Sequence, residues 1–127
     1  MACPMSLSTL SEITPTTFVG WSLTALVDDL LASEEAKRAG KTARTLVKSR
    51  PLTVVLTVLR AGETIHEHRA PAPTTVVPLC GDVTFVHRDT QRRVSSDDGS
   101  VLVMGPDAAH RVEARRDSAF LLIFGAR

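Results

Sequence analysis

The 127-residue sequence has no tyrosine, one tryptophan and four phenylalanines, so aromatic side chains make up only 4% of it. It also lacks an excess of either charge. Fifteen Lys and Arg stand against 14 Asp and Glu, a formal net charge of +1. Proteins that hold nucleic acid use a concentrated positive field, often with aromatic side chains that stack on bases. No such stripe is present, and nucleic acid is not an expected partner. Long apolar runs are missing too. The most apolar early stretch, Phe18 to Leu31, is broken by Asp28 and Asp29, whereas a membrane-crossing helix needs about 18 or more apolar residues in a row. The opening Met1-Ala2-Cys3-Pro4-Met5 has no basic cluster followed by an apolar run, the pattern of a secretory leader. Only two cysteines occur, Cys3 and Cys80, too few for a disulfide framework. The expectation is a cytoplasmic protein with reduced thiols and no membrane partner.

What is present points to one folded domain. Hydrophobic residues make up 43% of the chain and charged residues 23%, enough for a single sizeable core. Residues 1–20, rich in Ser and Thr with Pro4 and Pro15, read as an irregular arm that docks by Phe18, Val19 and Trp21. Over residues 21–40 the apolar period becomes helical: Leu23, Leu26, Val27, Leu30 and Leu31 form one stripe. Ser22 or Thr24 can cap its start, Lys37 and Arg38 suit its end, and Gly40 suits its termination. From 41 to 127 the texture is β. Leu52 to Leu59 is dense in β-branched residues and apolar on both faces, a central strand. Pro78 places the strand Thr74 to Leu79 at an edge or a bulge, and Ser96-Asp97-Asp98-Gly99 is a turn. Seven or more short strands at such spacing predict an all-β sandwich or barrel with one N-terminal α-helix.

The chemistry-bearing stretch is Gly62-Glu63-Thr64-Ile65-His66-Glu67-His68. Alternate strand residues face one way, about 7 Å apart, so His66 and His68 are expected to point inward and Glu67 outward. A third histidine, His110, follows the turn Gly105-Pro106-Asp107. Three imidazoles converging on one point suit a metal ion with bonds of about 2.0–2.1 Å. No separate general base is visible.

In these motifs the sequence resembles the cupins, small double-stranded β-helix (jelly-roll) barrels. Gly62, His66, His68 and Gly81 match the first cupin motif, with a shorter gap between Gly62 and His66. Gly99, Pro106 and His110 match the second, with the proline displaced and Asp107 in place of the inner glycine. The likeness spans roughly residues 45 to 124. It departs at the glutamate ligand, for no Asp or Glu lies between His68 and Gly81, and about Thr74 holds that place. The resemblance implies a cupin-type jelly roll, a homodimer, and a divalent transition metal on His66, His68 and His110. Iron is the usual occupant, and zinc, manganese, nickel and copper are admitted by the same donors.

Two functions follow as expectations. One is a metal-dependent, oxygenase-like enzyme acting on a small anionic or enolisable molecule. The other is a non-catalytic cupin that binds a small molecule or metal as a sensor or store. An isomerase, or a barrel without its metal, is a third. Enzyme status stays open. The expected pocket wall is Leu56, Val58, Val76, Phe85 and Phe120 or Leu122. His87 reads as a rim histidine, Glu63, of opposite strand parity to His66, as no fourth ligand, and Asp107 as a turn residue. Cys80 reads as an inert thiol on the parity of Thr74 and Val76. Arg92-Arg93 and Arg115-Arg116 read as solvated strand faces.

Overall fold

The computed structural model describes residues 9–126, so Cys3 and the first eight residues of the arm lie outside it. Helix α1 (Leu23–Leu31) and helix α2 (Glu34–Ala39) precede nine strands: β1 (Lys41–Lys48), β2 (Thr53–Leu59), β3 (Thr64–Arg69), β4 (Thr74–Cys80), β5 (Asp82–His87), β6 (Thr90–Ser95), β7 (Leu102–Met104), β8 (Ala109–Ala114) and β9 (Ser118–Phe124). They form two sheets, of order β1-β2-β9-β4-β7 and β3-β8-β5-β6. Every strand pair is antiparallel. This is the two-sheet jelly roll that the sequence resemblance implied.

The sheets face each other across a core of Leu59, Val76, Val83, Phe85, Val112 and Phe120. A second cluster lies on the outer face of the five-stranded sheet. There Leu26, Val27 and Leu30 of α1 cover Leu46, Leu56, Val58 and Ala119. Two expectations are corrected by this layering. Leu56 and Val58 face the helix, not the pocket; β2 is apolar on both faces because it is packed on both, so alternation could not tell them apart. Cys80 also joins the helix side. A register shift between Pro78 and Cys80 turns it off the parity of Thr74 and Val76.

The helical stretch is broken once. Ser33 accepts from the Ala36 amide at 3.2 Å, while its hydroxyl donates to the Leu30 carbonyl at 2.7 Å. One serine thus ends α1 and caps α2. Ser22 caps α1, and Gly40 ends α2 in the left-handed region. In the arm, Leu10 makes an isolated bridge to Val47. Trp21 packs on the helix-side cluster, but Phe18 and Val19 do not dock as expected: they are 100% and 53% exposed. The helix that follows covers the outer face without them.

Pro78 sits beyond the end of β7, which pairs only with Thr74–Val76, and beside the register shift against β9. Gly81 adopts φ +84, and a Cβ there would meet the Asp117 carbonyl oxygen at 2.4 Å. Glycine is therefore required at this turn. No helix among the described residues is long and apolar enough to cross a membrane.

Candidate functional site

The site is built where β3 runs beside β8. The ladder pairs Ile65 with Val112 and His68 with His110, so two residues, His66 and Glu67, stand against Arg111 alone. That is a β-bulge. It shifts side-chain parity by one, putting His68 on the same inner face as Ile65. Both histidines are exposed, but only His68 lines the pocket and His66 stands outside it. The expectation that both histidines of the pair point inward is thereby corrected: strand alternation holds only where the ladder is unbroken.

His68 and His110 do meet. They are direct cross-strand partners, with ring centroids 4.2 Å apart and planes inclined at 57°. His110 is 4% exposed and stacks near Phe85, at 6.0 Å between centroids. Both rings are anchored in the same way. Nδ1 of His68 lies 3.0 Å from the His66 carbonyl oxygen, and Nδ1 of His110 lies 3.0 Å from the Ala108 carbonyl oxygen. A carbonyl only accepts, so each Nδ1 carries the proton and donates. In the neutral ring this leaves Nε2 as an acceptor. The bulge thus gives His66 a different role, as the backbone acceptor that orients His68.

The Ala108 carbonyl is itself held in place. Asp107 N–H donates to Ala70 O at 2.9 Å, and Ala70 N–H donates to Ala108 O at 3.1 Å. Arg69 Nη1 donates to Asp107 O at 3.0 Å. Asp107 itself adopts φ +66, a conformation aspartate tolerates better than most residues. This explains how it stands where the cupin motif has glycine.

The pair lines a cavity of about 290 Å³ whose other walls include Ile65, Phe85, Val112, Phe120 and Leu122. Lys41, Thr42, Ala43 and Thr57 complete it on the side of β1 and β2. Burial pulls the His110 pKa below the ordinary value of 6.5. The Ala108 bond opposes that shift, and the neighbouring His68 and His87 add to it. Burial thus favours the neutral form of the His110 imidazole.

The donors fit a three-ligand metal centre only in part. Two imidazoles with Nδ1 tied to carbonyls and Nε2 open have the outer-shell arrangement of metal-binding histidines. A catalytic metal site takes three protein ligands. Here His66 faces away, and Thr74, where a carboxylate would sit, is buried and donates to Ala72 O at 2.8 Å. Among the described residues, no group of three or more His, Cys, Asp or Glu is placed to hold a metal ion.

Two exposed residues, His87, expected at the rim, and Arg92, expected on a solvated strand face, stand beside the site. His87 follows Phe85 on the inner face, one register step from His110, and its Nδ1 bonds to Ala109 O. Arg92 is the cross-strand partner of Phe85. The signal was available in the parity of β5 and β6. The hairpin turn at Arg88-Asp89, however, has neither Gly nor Asn to mark it.

No family model matches the sequence, and no curated protein does. The fold is shared with solved structures. A cupin superfamily protein from Desulfitobacterium hafniense superposes with a TM-score of 0.62 at 18% identity, over 68% of this chain and 78% of that one. A RmlC-like cupin from Desulfovibrio desulfuricans gives 0.61 at 23% identity, over 76% and 92%. A conserved protein of unknown function from Streptococcus pyogenes gives 0.64 at 21% identity, over 96% and 97%, so the likeness extends to the helical N-terminal region. The chain has the cupin fold.

Proposed function

We propose that this cupin barrel binds a small, mostly apolar molecule carrying a hydroxyl or N–H group, which it donates to the paired imidazoles. The observation that supports this reading is the His68–His110 pair at the wall of an apolar cavity, each with Nδ1 engaged and Nε2 open. Small-molecule sites are largely apolar with a few placed polar groups. The size of about 290 Å³ suits a ligand of one ring or a short chain. A phenol or an enol fits best, because its acidic O–H makes a strong bond to a neutral imidazole acceptor. Lys41, at the opposite wall, is paired with Glu63 at 3.5 Å and so does not stand as an unpaired cation there.

Titration with phenol, followed by calorimetry, tests the proposal. Binding is expected in the parent and in His66→Ala, and is expected to weaken by about threefold to tenfold in His68→Ala, the scale of one lost hydrogen bond at the exposed edge of the cavity. Equal affinity in the parent and His68→Ala would overturn it.

A second reading is favoured by the same open nitrogens: a divalent transition metal on His66, His68 and His110, with iron foremost. It requires the β3 bulge to move so that His66 turns inward. An oxygenase-like activity would depend on that metal. Metal content after supply of iron or zinc decides between the readings. A metal retained by the parent and lost from both His66→Ala and His110→Ala supports the three-histidine centre; equal content in all three removes it.

A further inference from the structure

The four-stranded sheet has two edges, β3 and β6, and a cavity lies at each. The histidine-pair cavity is at the β3 edge. The second, of about 260 Å³, lies where β6 faces β7, and it shares only Phe85 and His110 with the first.

The composition of its wall is one-sided. Its ionisable groups are Arg92, His87 and His110, joined by the Thr90 hydroxyl, and no carboxylate lines it. Leu102, Val103 and Met104 of β7 supply an apolar face. Strand register explains the polar set. The tight turn at Arg88-Asp89 puts Thr90 opposite His87, and Arg92 lies opposite Phe85. All four residues therefore share the inner parity.

The neighbouring arginines show what is unusual. Arg93, on the outer face, bonds through Nε to Asp82 Oδ1 at 2.9 Å. Arg92 has no such acid. Its Nη1 donates to the adjacent Gln91 carbonyl at 3.1 Å, and among the described residues no carboxylate pairs with it. A guanidinium at the mouth of an acid-free cavity, with an imidazole and a hydroxyl beside it, is a recognition group for a planar anion.

We infer that the β6–β7 cavity is an anion subsite that takes a small organic carboxylate. The carboxylate meets the Arg92 guanidinium in a two-pronged contact, with His87 and Thr90 at its flank. The apolar body of the ligand lies against Leu102 and Met104. The site goes beyond the phenol-type ligand proposed for the other cavity and does not depend on it.

The test is an amide-resolved NMR titration with benzoate and with benzamide, its neutral analogue of the same shape. Arg92 is exposed, so Arg92→Gln is expected to fold as the parent does, with an unchanged spectrum away from β6. Benzoate is expected to move the signals of Thr90, Arg92 and Met104. Its affinity is expected to fall about tenfold or more in Arg92→Gln, the scale of a lost charge-assisted pair. Benzamide should bind more weakly, with little dependence on Arg92. Benzoate binding equal in parent and variant overturns the inference. So does a response confined to the Lys41–Ala43 side, or no response at all. Phenol binding to the other cavity, measured on the same variant, should be unchanged, so the two proposals fail separately.

Discussion

His110 is the histidine whose burial ties protonation to folding. Burial lowers its folded-state pKa from 6.5. Above that value neither the folded nor the unfolded chain protonates it, and it adds no pH dependence. Below it the unfolded chain takes up a proton that the folded chain resists, so unfolding gains free energy as pH falls. Stability is therefore expected to decline from about pH 6.5 downward until the folded-state pKa is reached. Chemical denaturation at a series of pH values measures this, and His110→Gln is expected to flatten the slope in that window. Residue identity foretold the His68–His110 meeting, since both lie in motifs of the right order. It could not foretell that His66 would be turned away. That depends on where the ladder takes in its extra residue, a property of the β3–β8 pairing rather than of His66 itself.

Elements explain where the apolar strength lies. Leu30 of α1 is 4% exposed and closes the cluster over Leu56 and Val58. Truncating such a side chain removes its transfer free energy and leaves a cavity, so Leu30→Ala is expected to cost about 2–5 kcal/mol. Thermal unfolding checks this, and a loss below about 1 kcal/mol would mean the helix is dispensable to the barrel. The strands were legible because short β-branched runs between turn residues recur throughout. The break between α1 and α2 was not, because Ala32-Ser33 interrupts the helical period without a glycine or proline. Ser33 acts through a hydrogen bond to Leu30 that no periodicity records. Parity failed in β2 for a related reason: both its faces are covered, so both read as apolar.

For the whole molecule, two layers enclose a core that carries histidines at one end of the inner face. Across β3, β8 and β5 this end presents His68, His110 and His87 in sequence, and β6 adds Thr90. The jelly roll brings these residues together from segments far apart in the chain. The sequence announced two of them through cupin-like motifs and placed His87 at a rim, while the positions of Thr90 and Arg92 beside it follow from the β5–β6 register. The central claim is that His68 and His110 act as one polar pair with His66 outside it. Histidine side-chain nitrogen NMR tests it most directly, by following the ring nitrogens as phenol is added. Proton-bearing Nδ1 is expected in His68 and His110, with Nε2 signals of both rings that move together while those of His66 stay fixed. Movement of His66 alongside His68, or protonated Nε2 in the neutral rings of the pair, would contradict it.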